Sequence, residues 1–309
     1  MDYEKIILVT RKTRLEGLIE RFNTRGQAKF YIEHSGGDFA FYEREHETYH
    51  AALNDLKKSL TGLVKLQEIE RGFLPNFLFD DSNIVVTIGI DGLVVNTAKY
   101  LNGQPVVAVN PDPAHIDGVL LPFNVSNAPL AVQKILKGES HSHLITMAEA
   151  KLNDGQSLLA FNDLFIGVRT HVSARYLIQA NGKEEHHSSS GILVSTGAGS
   201  TGWLSSMFNM ANGMLSEFAN AEPKIQKPQL TWDTDKLIFV VREPFISKTS
   251  GAQIVCGAIT AASPLILKSE MPEGGVIFSD GVESDFLAFN AGMIATIGVA
   301  ERKTNLVVG

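Results

Sequence analysis

An α/β domain followed by an all-β domain is the fold class that this 309-residue sequence predicts. Two features carry that reading. Over about the first 140 residues, short runs rich in Ile, Val and Leu alternate with helix-patterned segments, which implies a parallel, doubly wound sheet. From residue 143 to about residue 299, strand-like runs crowd together with turn residues between them and one clear helix, which implies an all-β domain. The composition, 44% hydrophobic and 20% charged, is that of a packed globular protein. The boundary is expected within residues 137–143 (KGESHSH), giving domains 1–140 and 141–309, with the C-terminal tail packing back on the first.

Residues 5–10 (KIILVT) read as a buried strand, and residues 14–22 as a helix with Leu15, Leu18, Ile19 and Phe22 on one side. Residues 41–66 carry Tyr49, Leu53, Leu56, Leu60 and Leu63 at three- and four-residue steps, which predicts one long amphipathic helix. Residues 84–88 form a β-branched run suited to a strand buried on both faces. Gly89-Ile90-Asp91-Gly92 follows, then a helix over 93–101. Residues 105–109 (PVVAV) are a third buried strand, closed by Asn110-Pro111-Asp112-Pro113, where the prolines enforce a loop. Residues 127–136 are a helix.

In the second half, strands are expected over 144–152, 157–161, 164–168, 175–180, 192–195, 236–241, 253–259, 265–268, 276–278 and 286–289. Ala180-Asn181-Gly182-Lys183 and Asp280-Gly281 read as hairpin turns, the latter with a supporting role near a site as the other reading. The helix begins near Thr201, with Met207, Met210 and Met214 expected in the core.

Charge and cysteine content exclude several classes. The formal net charge of -7 argues against nucleic acid or an anionic membrane as partner. An apolar run of about 20 residues, enough to span a bilayer, is lacking. The start, MDYEKIILVT, shows neither a secretory nor a transit pattern, so the cytoplasm is the expected location. The single cysteine, Cys256, sits in an apolar run and is expected to be a buried thiol.

The chemistry concentrates in three places. In residues 83–101, the glycines of Gly89-Ile90-Asp91-Gly92 permit a tight turn, and the helix that follows offers free N–H groups and a positive dipole end, which suit phosphate. Asp91 repels phosphate, so it reads as a metal bridge, a general base or a helix cap. Asn162-Asp163 is a polar pair between two strands, read as a bulge or turn, or as an edge facing a cleft. Residues 195–203 (STGAGSTGW) place three glycines and four hydroxyl side chains between a strand and the helix, a plausible cradle for ribose, phosphate or base. His186 and His187 lie in a polar stretch and are expected to be solvated. His141 and His143 complete no zinc pattern, and Ser200 has no nucleophile-elbow context.

Taken in order, Gly89-Ile90-Asp91-Gly92, Asn162-Asp163 and Ser195 to Trp203 resemble the three motifs of the NAD kinase family. The stretches FNDLFIGVRTHVSARY, SSGILVSTGAGSTGW and PVVAVNPDP look most like its mitochondrial-type branch. The resemblance implies an N-terminal nucleotide-phosphate-binding domain and a β-rich NAD-binding domain with NAD between them. It implies that Asp91 takes the proton from the 2′-hydroxyl of the adenosine ribose of NAD, which then attacks the terminal phosphoryl group of ATP or another donor. Gly89, Ile90 and Gly92 would form the donor-phosphate loop, and Gly92 would also approach NAD. Asn162, Asp163, Thr201, Gly202, Trp203 and Ser206 would bind NAD, with Trp203 suited to stack on a nucleotide face. Mg²⁺ or another divalent cation would arrive with the nucleotide, without direct side-chain ligation, and the chain would form a homodimer or homotetramer.

The sequence departs from the family pattern at three positions. Ile90 replaces a glycine, and a β-branched residue tolerates positive φ poorly, so either this position is not left-handed or the donor phosphate sits differently. Ser190 stands where an acidic residue is common, and Thr196-Gly197 replaces Thr-Pro. Two other functions fit parts of the pattern. A lipid kinase of the diacylglycerol or sphingosine type shares the first motif, against which stands the lack of a membrane-binding segment. A non-catalytic NAD(P)-binding regulatory protein would explain Ile90 but has no need of Asp91.

Overall fold

In this computed structural model, which describes residues 3–219 and 225–309, each half of the chain has its own hydrophobic core. The chain divides into unit 1, residues 1–143 with 304–309, and unit 2, residues 144–303.

Unit 1 contains β1 (Lys5–Thr10), α1 (Arg14–Phe22), α2 (Arg25–His34), α3 (Phe39–Leu60), β2 (Lys65–Glu70), β3 (Asn83–Ile88), α4 (Asp91–Ala98), β4 (Pro105–Asn110), β5 (Phe123–Asn124) and α5 (Ala128–Lys137). The strands run in the order β2-β1-β3-β4, all parallel, with β5 also against β4. β3 and β4 are buried at every position, as strands of a covered parallel sheet must be. Ile6, Leu8, Ile84, Val86, Val107 and Val109 form one face, packed under Tyr49, Leu53, Leu56 and Leu60 of α3 and Val132 and Ile135 of α5. α1 starts on a capping box: Thr13 accepts the Glu16 N–H and the Glu16 side chain accepts the Thr13 N–H.

Two elements of unit 1 differ from the sequence expectation. The long helix ends at Leu60, where Gly62 takes φ +95°, and residues 65–70 form the edge strand β2 instead of continuing it. Leu63 and Leu66 keep the helical spacing by coincidence, since both pack into the same core from outside the helix. α2 was absent from the expectation because only Ala28 and Ile32 of its polar sequence are buried.

Unit 2 contains most of β6 (His141–Leu152), then β7 (Ser157–Ala160), β8 (Asp163–Val168), β9 (Ala174–Ala180), β10 (Lys183–Ser189), β11 (Ile192–Ser195), α6 (Trp203–Phe218), β12 (Leu237–Val241), β13 (Cys256–Ile259), β14 (Leu265–Ser269), β15 (Gly275–Ser279), β16 (Val282–Ala288) and most of β17 (Ile294–Val308). One antiparallel sheet has the order β13-β12-β11-β8-β15-β16. Other strands run β10-β9-β14-β17, with β6 joined to β17 and β7 to β6. A core including Tyr176, Ile166, Val194, Phe239, Leu267 and Phe289 fills this unit. The last residues of β17 belong to unit 1, where Asn305 and Leu306 pair in parallel with Pro105 and Val106.

Three side-chain expectations are corrected here. His187 is 2% exposed, because residues 183–189 form β10 and place it inward, stacked on Tyr176 and bonded to Glu185 at 2.7 Å; His186 alone stays outside. Cys256 is exposed, because β13 lies at a sheet edge and its apolar run is not covered on both sides. Met210 and Met214 are 46% and 58% exposed; on α6 only Leu204 is fully buried, with Met207 packed partly behind it. No helix among the described residues is long and apolar enough to cross a membrane.

Candidate functional site

In unit 1 the candidate site lies at the carboxyl ends of β1 and β3. The strand order reverses there, since the chain reaches β2 on one side of β1 and then β3 on the other, and such switch points open a crevice in doubly wound sheets. Gly89 follows β3 and Arg11 follows β1. A Cβ on Gly89 would come within 3.3 Å of Arg11 Nε, so the two segments touch.

Ile90 has φ -102° and ψ 166°, extended backbone open to any residue, so the replacement of glycine at this position is accommodated without a left-handed turn. Asp91 opens α4, where its charge meets the positive end of the helix. Its carboxylate accepts the N–H of Leu120 at 3.0 Å on one oxygen and that of Val119 at 3.2 Å on the other. Asn110 shapes the loop that provides those donors: its side chain accepts the Asp112 N–H and donates to the Ile116 carbonyl, and Gly118, at φ +61°, leaves no space for a Cβ beside it. Gly92 is open: the nearest atom to a Cβ there is Ile90 Cδ1 at 4.0 Å. Among the described residues nothing requires glycine at 92, and a close-approaching ligand is one reason to have it.

Beside Ile90 is a cavity of about 390 Å³, walled by Arg11, Arg14 and Arg44 and by the carboxylates of Glu45, Glu47 and Asp112. Arg11 pairs with Glu45 at 3.0 Å, yet its buried Nε has no hydrogen-bond partner among the described residues. The three arginines escaped the sequence reading. The available signal was the basic run Arg11-Lys12-Thr13-Arg14 directly after β1, at the strand end where ligands collect.

In unit 2 the structure brings Asn162-Asp163 and residues 195–199 together. Ser195 pairs with Asp163 in the ladder, and Thr196 donates its N–H to the Asn162 carbonyl at 2.9 Å and its hydroxyl to the Phe161 carbonyl at 2.6 Å. The glycines here are required by the chain itself. A Cβ on Gly199 would lie 2.1 Å from the Asn162 carbonyl oxygen, and one on Gly197 would lie 1.9 Å from that of Thr231. Ser195, Thr196 and Ser200 are buried, so the hydroxyl-rich cradle narrows to Thr201, which is exposed with Gly202 and Ser206.

Asp280 ties the region together. It sits in the turn between β15 and β16 with φ +54°, and its carboxylate accepts the N–H groups of Phe161, Asn162 and Asp163 at 3.0, 2.7 and 3.2 Å. Burial first, and then the charge of Asp280, raises the Asp163 carboxyl to about 7. Trp203 lies nearly parallel to Phe165, centroids 5.9 Å apart, with the Arg242 guanidinium 5.3 Å from its ring. These side chains border a second cavity of about 230 Å³.

No family model matches the chain, and no curated protein matches it. Solved structures do. A yeast NADH kinase complexed with NADH superposes over 100% of this chain and 84% of its own, with a TM-score of 0.61 and 12% identity. The fold is that of the NAD kinases. An NAD kinase from Archaeoglobus fulgidus in complex with ATP shares it over 97% of this chain and 92% of its own, with a TM-score of 0.56 and 16% identity. The NAD kinase fold thus covers both units.

Proposed function

We propose that this chain transfers a phosphoryl group from ATP, or another donor, to the 2′-hydroxyl of the adenosine ribose of NAD, making NADP. One observation carries the reading: Asp91 is held at the start of α4 by two backbone N–H groups, next to a glycine that the protein itself does not need. Each oxygen accepts one of those bonds and keeps lone-pair capacity, so the carboxylate is fixed in orientation and still able to accept a ribose proton. General-base assistance of this kind contributes roughly 10²–10⁴-fold. The free N–H groups at the start of α4 and the neighbouring Arg11, Arg14 and Arg44 support a donor polyphosphate at this end of unit 1. Mg²⁺ enters with the donor, as part of the substrate.

Asn162 and Asp163 would hold the adenosine portion of NAD, with Thr201, Gly202, Trp203 and Ser206 around it. Support comes from the exposure of Thr201, Gly202 and Ser206 and from the Asn162-Asp163 backbone, held by Asp280 and by the buried Thr196. A homodimer or homotetramer in the cytoplasm is part of the same proposal. The test incubates purified protein with NAD or NADH, Mg²⁺ and a panel of donors including ATP and polyphosphate. NADP or NADPH should form. Stabilisation by NAD with no product from any donor would favour a binding protein, and phosphorylation of diacylglycerol or sphingosine in its place would favour a lipid kinase.

A further inference from the structure

Just past the carboxyl end of β1, α1 and α3 bring together a carboxylate and two imidazoles. His46 and His50 are four residues apart on α3 and so share one face. Glu16 comes from the first turn of α1. One potential ligand atom from each lies within 4.8 Å of the other two, and all three residues are partly buried. Glu16 Oε1 and His50 Nε2 are 3.1 Å apart, a separation that two ligands of one tetrahedral ion also adopt.

The surroundings are those of a supported ligand set. The second Glu16 oxygen accepts the Thr13 N–H at 2.7 Å. The Thr13 hydroxyl is 2.9 Å from His46 Nδ1, so the tautomer with a proton on Nδ1 leaves Nε2 as a free donor of electrons. Thr13 therefore orients two of the three candidate ligands, as outer-shell partners do in metal sites. The sequence His46-Glu47-Thr48-Tyr49-His50 also satisfies the His-Glu-x-x-His pattern, which places both imidazoles toward one ion.

We propose that Glu16, His46 and His50 bind one transition-metal dication, with Zn²⁺ the best fit, and that the ion ties α1 to α3. Two imidazoles and one carboxylate suit zinc, with water in the fourth position. Calcium and magnesium favour all-oxygen sets, and the absence of sulfur from this set disfavours Cu(I). In metalloproteases the glutamate of this pattern is the general base; here Glu47 lines the arginine cavity, and the assignment is to binding alone. The site stands independently of the kinase reading.

The experiment uses the full chain without an affinity tag, stripped with a chelator, then titrated with Zn²⁺ against a chromophoric competitor and with Co²⁺ by absorbance. One equivalent should bind, and the melting temperature should rise with zinc concentration. His50→Gln and Glu16→Gln should each weaken binding about tenfold or more, and Thr13→Val by about 10–100-fold, the range for outer-shell losses. Metal-free circular dichroism of each variant reports whether it folds. Anomalous scattering from zinc-loaded wild-type crystals covers the case of a variant that does not, and should place the ion among these three side chains. An ion found elsewhere, no saturable binding, or undiminished affinity in a His46→Gln/His50→Gln double variant would overturn the assignment, leaving the cluster an ion pair beside a helix cap.

Discussion

The carboxylate of Asp280 accepts the N–H of Asn162 at 2.7 Å across 118 residues of sequence, and two further N–H groups converge on the same side chain. Asp280→Asn would turn an amide N–H toward donors that need an acceptor. Leaving one such donor unpaired costs about 1–3 kcal/mol. Urea denaturation should show an unfolding free energy lower by that amount and a correspondingly lower midpoint, and NAD affinity should fall with it, since the backbone of Asn162-Asp163 loses its anchor. A variant with an unchanged midpoint would show that these bonds contribute no net stability.

Two glycines should respond in opposite ways to the same substitution. Gly199→Ala puts a methyl 2.1 Å from a backbone oxygen, where neither side can yield, and should destabilise unit 2 by at least the roughly 1–3 kcal/mol of an overpacked core. Gly92→Ala meets nothing closer than 4.0 Å and removes glycine from a helix, so the protein should keep or gain about 0.5–1 kcal/mol. NADP formation by Gly92→Ala should nevertheless fall on the order of 10²-fold, the effect of a small displacement of reacting groups. Full activity in Gly92→Ala would mean that no phosphate comes close to that backbone.

Asp163 predicts a pH dependence. Its carboxyl stands at about 7 in the folded chain, against an ordinary value of 3.8, because of burial and then the Asp280 charge. Between those values the folded protein keeps a proton that the unfolded chain has released. Stability should therefore fall as pH rises from about 4 to about 7, then level off. Asp163→Asn should flatten that slope in denaturation curves taken across the range. If Asp163 accepts a hydrogen bond from the adenosine of NAD, binding should tighten as pH rises through about 7 and lose that dependence in the variant.

What could be read in the sequence was what is local. β3, the turn at Gly89 and the start of α4 follow from a β-branched run, two glycines and an apolar segment within twenty residues. The turns at Asn181-Gly182 and Asp280-Gly281, each with positive φ at both positions, were equally legible. β10 was not, because Lys183–Ser189 is polar throughout and becomes a strand only by pairing with β9. The role of Asp280 in fixing Asn162 depends on β15 lying beside β8, a long-range contact with no local trace. Residues 195–203 were overread in one respect: the glycines that suggested a ligand cradle are explained at 197 and 199 by close packing of the chain on itself. The arginine-walled cavity likewise draws Arg44 from α3 to Arg11 and Arg14, an encounter set by tertiary packing.

The central claim is that Asp91 acts as the base. Single-turnover formation of NADP by Asp91→Asn, measured beside NAD binding by calorimetry, tests it most directly. Asparagine keeps the shape and one acceptor oxygen, enough for one of the two bonds from Val119 and Leu120, but it cannot take a proton. The account predicts NAD affinity within a few-fold of wild type and a rate lower by about 10²–10⁴-fold. A variant that binds NAD and makes NADP at the wild-type rate would contradict it.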